Sequence, residues 1–124
     1  MRVLVDTHFL VWWAAGRKIP QQAASLIQDP ANDLYASAAS VWEIAIKRAL
    51  GKLEAPDGLT EAIDEAGFDV LPIVGRDAER AASLPRHHRD PFDRMLVAQG
   101  QRLGALIVSR DPAFAAYAAD VLLA

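Results

Sequence analysis

Short, β-branched apolar runs alternate with helical patterns along nearly the whole chain, and that alternation admits few folds. Val3 to Asp6 reads as a buried strand, too short for a helix. His8 to Ala15 is an apolar helical stretch stopped at Gly16. Pro20 opens a helix carrying Ala23, Ala24, Leu26 and Ile27 on one side, which closes near Asp29-Pro30. Leu34 to Ala36 is a second strand, after which Ser37 or Ser40 caps a helix running to Leu50 and ending at Gly51. A helix over Leu59 to Ala66 ends at Gly67, a strand follows over Phe68 to Val74, and a helix over Asp77 to Leu84 is halted by Pro85. Asp90-Pro91 is a strong helix start, with Asp90 as N-cap and Pro91 at the first helical position, and Gly104 closes that helix after Leu103. Ala105 to Ser109 is a fourth strand, Asp111-Pro112 starts a short helix through Ala119, and Val121 to Leu123 is the last strand. Five short apolar strands separated by helices predict an α/β fold: a five-stranded parallel sheet with helices on both faces, forming one domain over residues 1–124.

Four acids fall at sensitive points of this pattern. Asp6 ends the first strand, and Asp111 follows the fourth. Glu43 is the only charge between Ala36 and Ile46, and Asp93 lies in the first turn of the helix that leads into the fourth strand. In open α/β sheets the crevice for ligands lies beyond the carboxyl ends of the strands, where strand order switches. Asp6 and Asp111 sit at such ends, and the helices of Glu43 and Asp93 begin at the same edge. Carboxylates about 4 Å apart repel by roughly 4 kcal/mol per pair at an effective dielectric near 20, so such a cluster needs a cation or protons. All-oxygen ligands suit Mg²⁺ or Mn²⁺, ions that lower the pKa of water and neutralise charge on a phosphoryl oxygen. In-line hydrolysis of a phosphodiester is the chemistry this implies.

Each acid also has a purely structural reading. Asp111 before Pro112 and Asp90 before Pro91 both suit N-caps, and Asp93 suits the helix dipole. Glu43 and Lys47 are spaced for an i,i+4 pair. An acid ending a buried strand is the hardest of the four to explain without a partner, which makes Asp6 the strongest site candidate. Thr7 and Ser109, beside Asp6 and Asp111, offer hydroxyls to water or carboxylate, or simply to a local turn. Trp12, Trp13 and Trp42 read as core or interface residues, with base stacking as the other use, and His87-His88 as a solvated loop.

Composition excludes several classes. With no cysteine there is no disulfide, thiolate–zinc site or cysteine nucleophile. No apolar run reaches the roughly 18 residues of a membrane span, and the N-terminus lacks a signal-peptide pattern, so a cytoplasmic protein without membrane contact is expected. A net charge of −3 opposes tight sequence-independent binding to nucleic acid, but Lys47, Arg48 and Lys52, and Arg86 to Arg89, form local basic patches.

Taken together, four segments resemble the PIN-domain family, in the variant close to the VapC toxins of bacterial toxin–antitoxin pairs. They are Asp6-Thr7-His8-Phe9-Leu10-Val11-Trp12, Ser40-Val41-Trp42-Glu43-Ile44-Ala45-Ile46-Lys47 with Gly51-Lys52-Leu53, His88-Arg89-Asp90-Pro91-Phe92-Asp93-Arg94-Met95-Leu96-Val97-Ala98-Gln99, and Ser109-Arg110-Asp111. The resemblance covers nearly the whole chain, in order. It implies a Mg²⁺- or Mn²⁺-dependent endoribonuclease, a homodimer, neutralised by a small VapB-type antitoxin whose C-terminal segment blocks the site. Carried over, its acidic quartet is Asp6, Glu43, Asp93 and Asp111, with Asp90 the other candidate for the third position. The chain departs from the family pattern at Ser109, where threonine is frequent, and at Gly100, where alanine is usual.

Two other classes compete. A phosphoacceptor receiver domain needs an aspartate ending the third strand and a lysine after the last; Phe68 to Ile73 ends in no acid, and no lysine follows Lys52. An inactive binding module with this fold would not need an intact quartet.

Overall fold

The computed structural model describes residues 1–55, 57–86, 90–117 and 119–123; His87, His88 and Arg89, the loop and basic patch read from the sequence, lie outside the described residues. Five strands, β1 (Arg2–Val5), β2 (Asp33–Ser37), β3 (Phe68–Leu71), β4 (Leu106–Ser109) and β5 (Val121–Leu123), form one sheet in the order β3-β2-β1-β4-β5. All pairings are parallel, with Val3 opposite both Leu34 and Leu106. The helices are α1 (Thr7–Ala14), α2 (Gln21–Gln28), α3 (Ala38–Ala49), α4 (Leu59–Glu65), α5 (Gly75–Ser83) and α6 (Pro91–Leu103), followed by a 3-10 turn over Pro112–Ala116.

Period-two alternation divides the core into two layers. Val3 and Val5 of β1 pack with Phe9, Leu10, Ala23, Ile44 and Ile63 on one face of the sheet. Leu4, between them, packs with Leu84, Leu96, Val97 and Phe114 on the other. Burial on both faces is what a parallel sheet requires, and it explains the near-continuous apolar runs of the inner strands. The chain steps outward from β1 through β2 to β3, then returns across the sheet to β4 beside β1. The reversal of strand order therefore falls between the carboxyl ends of β1 and β4.

Several boundaries differ from the sequence reading, each for a local reason. β3 ends at Leu71 rather than Val74, because Pro72 has no N–H to continue the ladder. α5 starts at Gly75, two residues early: Asp77 sits at the third helical position, where its Oδ2 accepts a 3.1 Å bond from the Val74 N–H. Ser37, not Ser40, caps α3, its Oγ accepting from the Ala39 N–H at 3.0 Å. The last helix is only a 3-10 turn ending at Ala116. Trp42 is not a core residue: it is 61% exposed, its ring edge-on to Phe92 with centroids 5.5 Å apart. Trp13 does pack inward, on Phe68.

Gly100 has a packing role. A Cβ there would lie 2.8 Å from Cδ1 of Ile107, itself fully buried on β4. The missing side chain leaves room for Ile107, whose end would have to shift to admit an alanine.

Candidate active site

Asp6 and Asp111 meet through Ser109. The Asp6 backbone N–H donates to the Val108 carbonyl at 3.0 Å, extending the β1–β4 pairing to the carboxyl end of β1. The Asp6 side chain, 2% exposed, then accepts two bonds, 2.8 Å from the Phe9 N–H on Oδ1 and 2.6 Å from the Ser109 hydroxyl on Oδ2. Ser109 Oγ in turn accepts from the Asp111 N–H at 3.0 Å, and Asp111 Oδ1 accepts from the Ala113 N–H at 2.9 Å. Both acids are therefore N-caps as well as members of the cluster; the structural and functional readings are not exclusive. Burial is the main influence on the Asp6 carboxyl and raises its pKa; the bonds from Ser109 and Phe9 oppose this, and Asp111 adds to it.

Asp93 and Glu43 approach from the helices. Asp93, in the first turn of α6, is 9% exposed. Its pKa is pushed up to about 7, first by burial and then by the negative charges of Asp90, Glu43, Asp6 and Asp111. That influence places the other four acids within electrostatic reach of Asp93, although 105 positions separate Asp6 from Asp111. Asp90 is half-buried and caps α6, its Oδ1 accepting from the Phe92 N–H at 2.8 Å. Glu43 is 2% exposed, with Oε2 2.5 Å from the Lys47 ammonium; Oε1 is buried with no hydrogen-bond partner among the described residues. The bond to Glu43 is the largest influence raising the Lys47 pKa, and Asp90 and Asp93 contribute as well. Thr7 Oγ1 lies 2.9 Å from Ser40 Oγ in a buried pair joining α1 to α3, so Thr7 bonds across helices and not within its own turn.

The donor set suits a hard divalent cation. It is all oxygen, densely negative, and includes a buried carboxylate oxygen that lacks a partner among the described residues, which costs free energy unless something positive meets it. Among the described residues no three such side chains already converge as ligands of one ion. Ser109 holds Asp6, Lys47 holds Glu43, and the Ala113 N–H holds Asp111. Mg²⁺, which keeps several of its waters, can be held by such a set partly through those waters.

A PIN-domain family model matches residues 3–120. The chain belongs to the PIN-domain family. This PIN domain is 31% identical over 117 residues to Ribonuclease VapC22 of Mycobacterium tuberculosis, covering 88% of this chain and 86% of the relative. Its fold is similar to those of a toxin–antitoxin complex from Klebsiella pneumoniae (TM-score 0.68, 20% identity, 97% and 95% of the chains). It is also similar to VapBC2 from Rickettsia felis bound to a promoter DNA fragment (TM-score 0.72, 11% identity, 98% of each chain). FitAcB from Neisseria gonorrhoeae gives a TM-score of 0.63 at 20% identity over 97% and 96% of the chains. At those identities the structural neighbours speak for the fold alone.

Three links between elements were not legible in advance, although Gln99 and Arg94 belong to the family-like segments. Ser37 Oγ donates to Gln99 Oε1 at 2.6 Å, tying β2 to α6. The Arg94 guanidinium donates to the carbonyls of Ala81, Ala82, Leu84 and Pro85, closing the end of α5. Arg102 pairs with buried Asp77 at 2.7 Å. Asp77 and Arg102 stand 25 residues apart with no shared pattern, and only the packing of α5 on α6 brings them together.

Proposed function

We propose that this chain is a divalent-metal-dependent endoribonuclease toxin of the VapC type, held in check by a cognate VapB-type antitoxin. The observation that carries the reading is the buried acid cluster at the switch in strand order, with Asp93 poised near neutrality by burial first and then by its acidic neighbours. The ribonuclease activity and the antitoxin draw on similarity to Ribonuclease VapC22 and on a fold shared with toxin–antitoxin complexes. The same reading takes residues 1–124 as one domain that acts as a cytoplasmic homodimer; among the described residues no helix is long and apolar enough to cross a membrane.

In this reading Asp6, Glu43, Asp93 and Asp111 hold Mg²⁺ or Mn²⁺, with Asp90 at the margin. The bound ion supplies charge neutralisation at the scissile phosphate and acidifies water. Ser109 fixes the Asp6 carboxylate through the bond to Oδ2, so that its orientation does not depend on the ligand. Asp93 holds a proton on its carboxyl in part of the metal-free population at neutral pH and releases it when positive charge arrives. Lys47 balances Glu43 until then. Burial of Asp6 and Glu43 excludes bulk water around the acids, which strengthens each of these interactions.

The test is cleavage of total RNA by purified, antitoxin-free protein. Cleavage in Mn²⁺ or Mg²⁺, its loss in excess EDTA and its loss in folded Asp6→Asn are the outcomes this reading requires. Equal cleavage by a protein with Asp6, Glu43 and Asp111 all neutralised would reject it.

A further inference from the structure

Beside the acids, between α1 and α3, lies a cleft of about 600 Å³. Thr7, Glu43, Val11, Ile44, Leu53 and Trp12 line it. Arg17, Lys47 and His8 also line it. Resting on the nuclease reading above, we propose that this cleft seats one unpaired nucleotide of a single-stranded RNA beside the bond that is cut, its base on the apolar floor and its phosphate toward Lys47 and Arg17.

Three observations carry this. The volume lies within the range of small-ligand sites; the apolar part of the lining suits a flat base, and of its charges, Arg17 and Lys47 against Glu43 and Glu54, the two cations suit a phosphate. Trp12 is braced: the Arg110 guanidinium lies 4.0 Å from its ring centroid, and Arg110 stands between Ser109 and Asp111. The aromatic wall is thereby tied to the strand end that carries the acids, as a stacking surface registered to a reaction centre needs to be. Lys47 joins the two regions, with its ammonium on Glu43 and its side chain 42% exposed toward the cleft it lines. A base within a duplex is stacked and paired, so only single-stranded RNA can offer one to such a cleft.

Binding is read by fluorescence anisotropy of short labelled oligouridylate and oligoadenylate, in Ca²⁺, a hard cation that also takes oxygen ligands. Single-stranded oligonucleotides should bind more tightly than the same sequences in duplex. Trp12→Leu should weaken binding about tenfold through lost stacking. Arg17→Glu, at an exposed position, should weaken it about threefold to tenfold, and Glu54→Lys on the same margin should strengthen it. Ca²⁺ affinity, measured by calorimetry, should not fall in Arg17→Glu, so that its weaker RNA binding is not a loss of the ion. A parent that binds single-stranded RNA in this way but never cleaves it in Mn²⁺ would defeat the nuclease reading and leave the cleft assignment standing. The proposal is overturned if single-stranded and duplex RNA bind equally, or if all three folded variants bind as the parent does. It is equally overturned if the variants keep RNA binding but lose co-purification with a cognate antitoxin, which would give the cleft to a protein segment.

Discussion

The Ser109 hydroxyl donates a 2.6 Å hydrogen bond to Asp6 Oδ2 and so joins residues 103 positions apart in the chain. It also accepts from the Asp111 N–H, so one side chain sets the spacing of two acids at the ends of neighbouring strands. Charge-assisted bonds of this kind are among the stronger ones, and here both partners are buried.

Replacing Ser109 with alanine removes that link. Asp6 then keeps its burial while losing a bond that opposed it, so its pKa climbs further. Ser109→Ala is expected to lower stability by about 1–3 kcal/mol in urea denaturation and to reduce cleavage. Ser109→Thr, which keeps the hydroxyl, should restore both. Wild-type stability in the alanine variant would show that the bond is idle.

Asp93 gives the metal-free protein an unusual pH dependence. Its pKa is raised from 3.8 to about 7, so between those values the folded state binds a proton that the unfolded state has released. Its contribution is therefore fully present below about pH 4 and lost as pH rises toward and past 7. Asp6, also raised, acts in the same direction. In EDTA, thermal denaturation should show stability from these groups declining from about pH 4 to pH 7, by on the order of a few kcal/mol. Asp93→Asn should flatten that slope, and Mn²⁺ should raise the parent's Tm more at pH 8 than at pH 5. A rise in Tm of the metal-free parent over this interval, unaltered by Asp93→Asn, would contradict the assignment.

Lys47 and Glu43 form a pair in which only Glu43 is buried. Removing the ammonium strands a carboxylate that already has one oxygen without a partner among the described residues. Lys47→Met should destabilise the metal-free protein by about 1–3 kcal/mol, and adding Glu43→Gln should recover most of it. A double-mutant cycle in urea measures this coupling. Additive effects of the two substitutions would mean that the pair contributes nothing.

How much of this was legible in the sequence depends on how local each cause is. Asp6 and Asp111 stand out because each follows an apolar strand, and Asp90-Pro91 announces its helix with two adjacent residues. Glu43 and Lys47 carry their pairing in their spacing; what the spacing does not tell is that one is buried and the other at the surface. Trp42 looks like core by composition, yet it is exposed beside Phe92, because a helix with one buried face turns some of its large residues outward. The Ser37–Gln99 and Asp77–Arg102 contacts bridge separate elements, and no local pattern encodes them. The shortened β3 was readable in principle from Pro72, whose missing N–H outweighs the apolar run around it.

Calorimetric titration of Mn²⁺ into the purified, antitoxin-free protein reads the shared acid site most directly. The parent should bind the ion with proton release near pH 7, and neutralising Asp6, Asp93 or Asp111 singly should weaken binding about tenfold or more in a folded protein. Undiminished Mn²⁺ affinity with all three replaced by asparagine would contradict it.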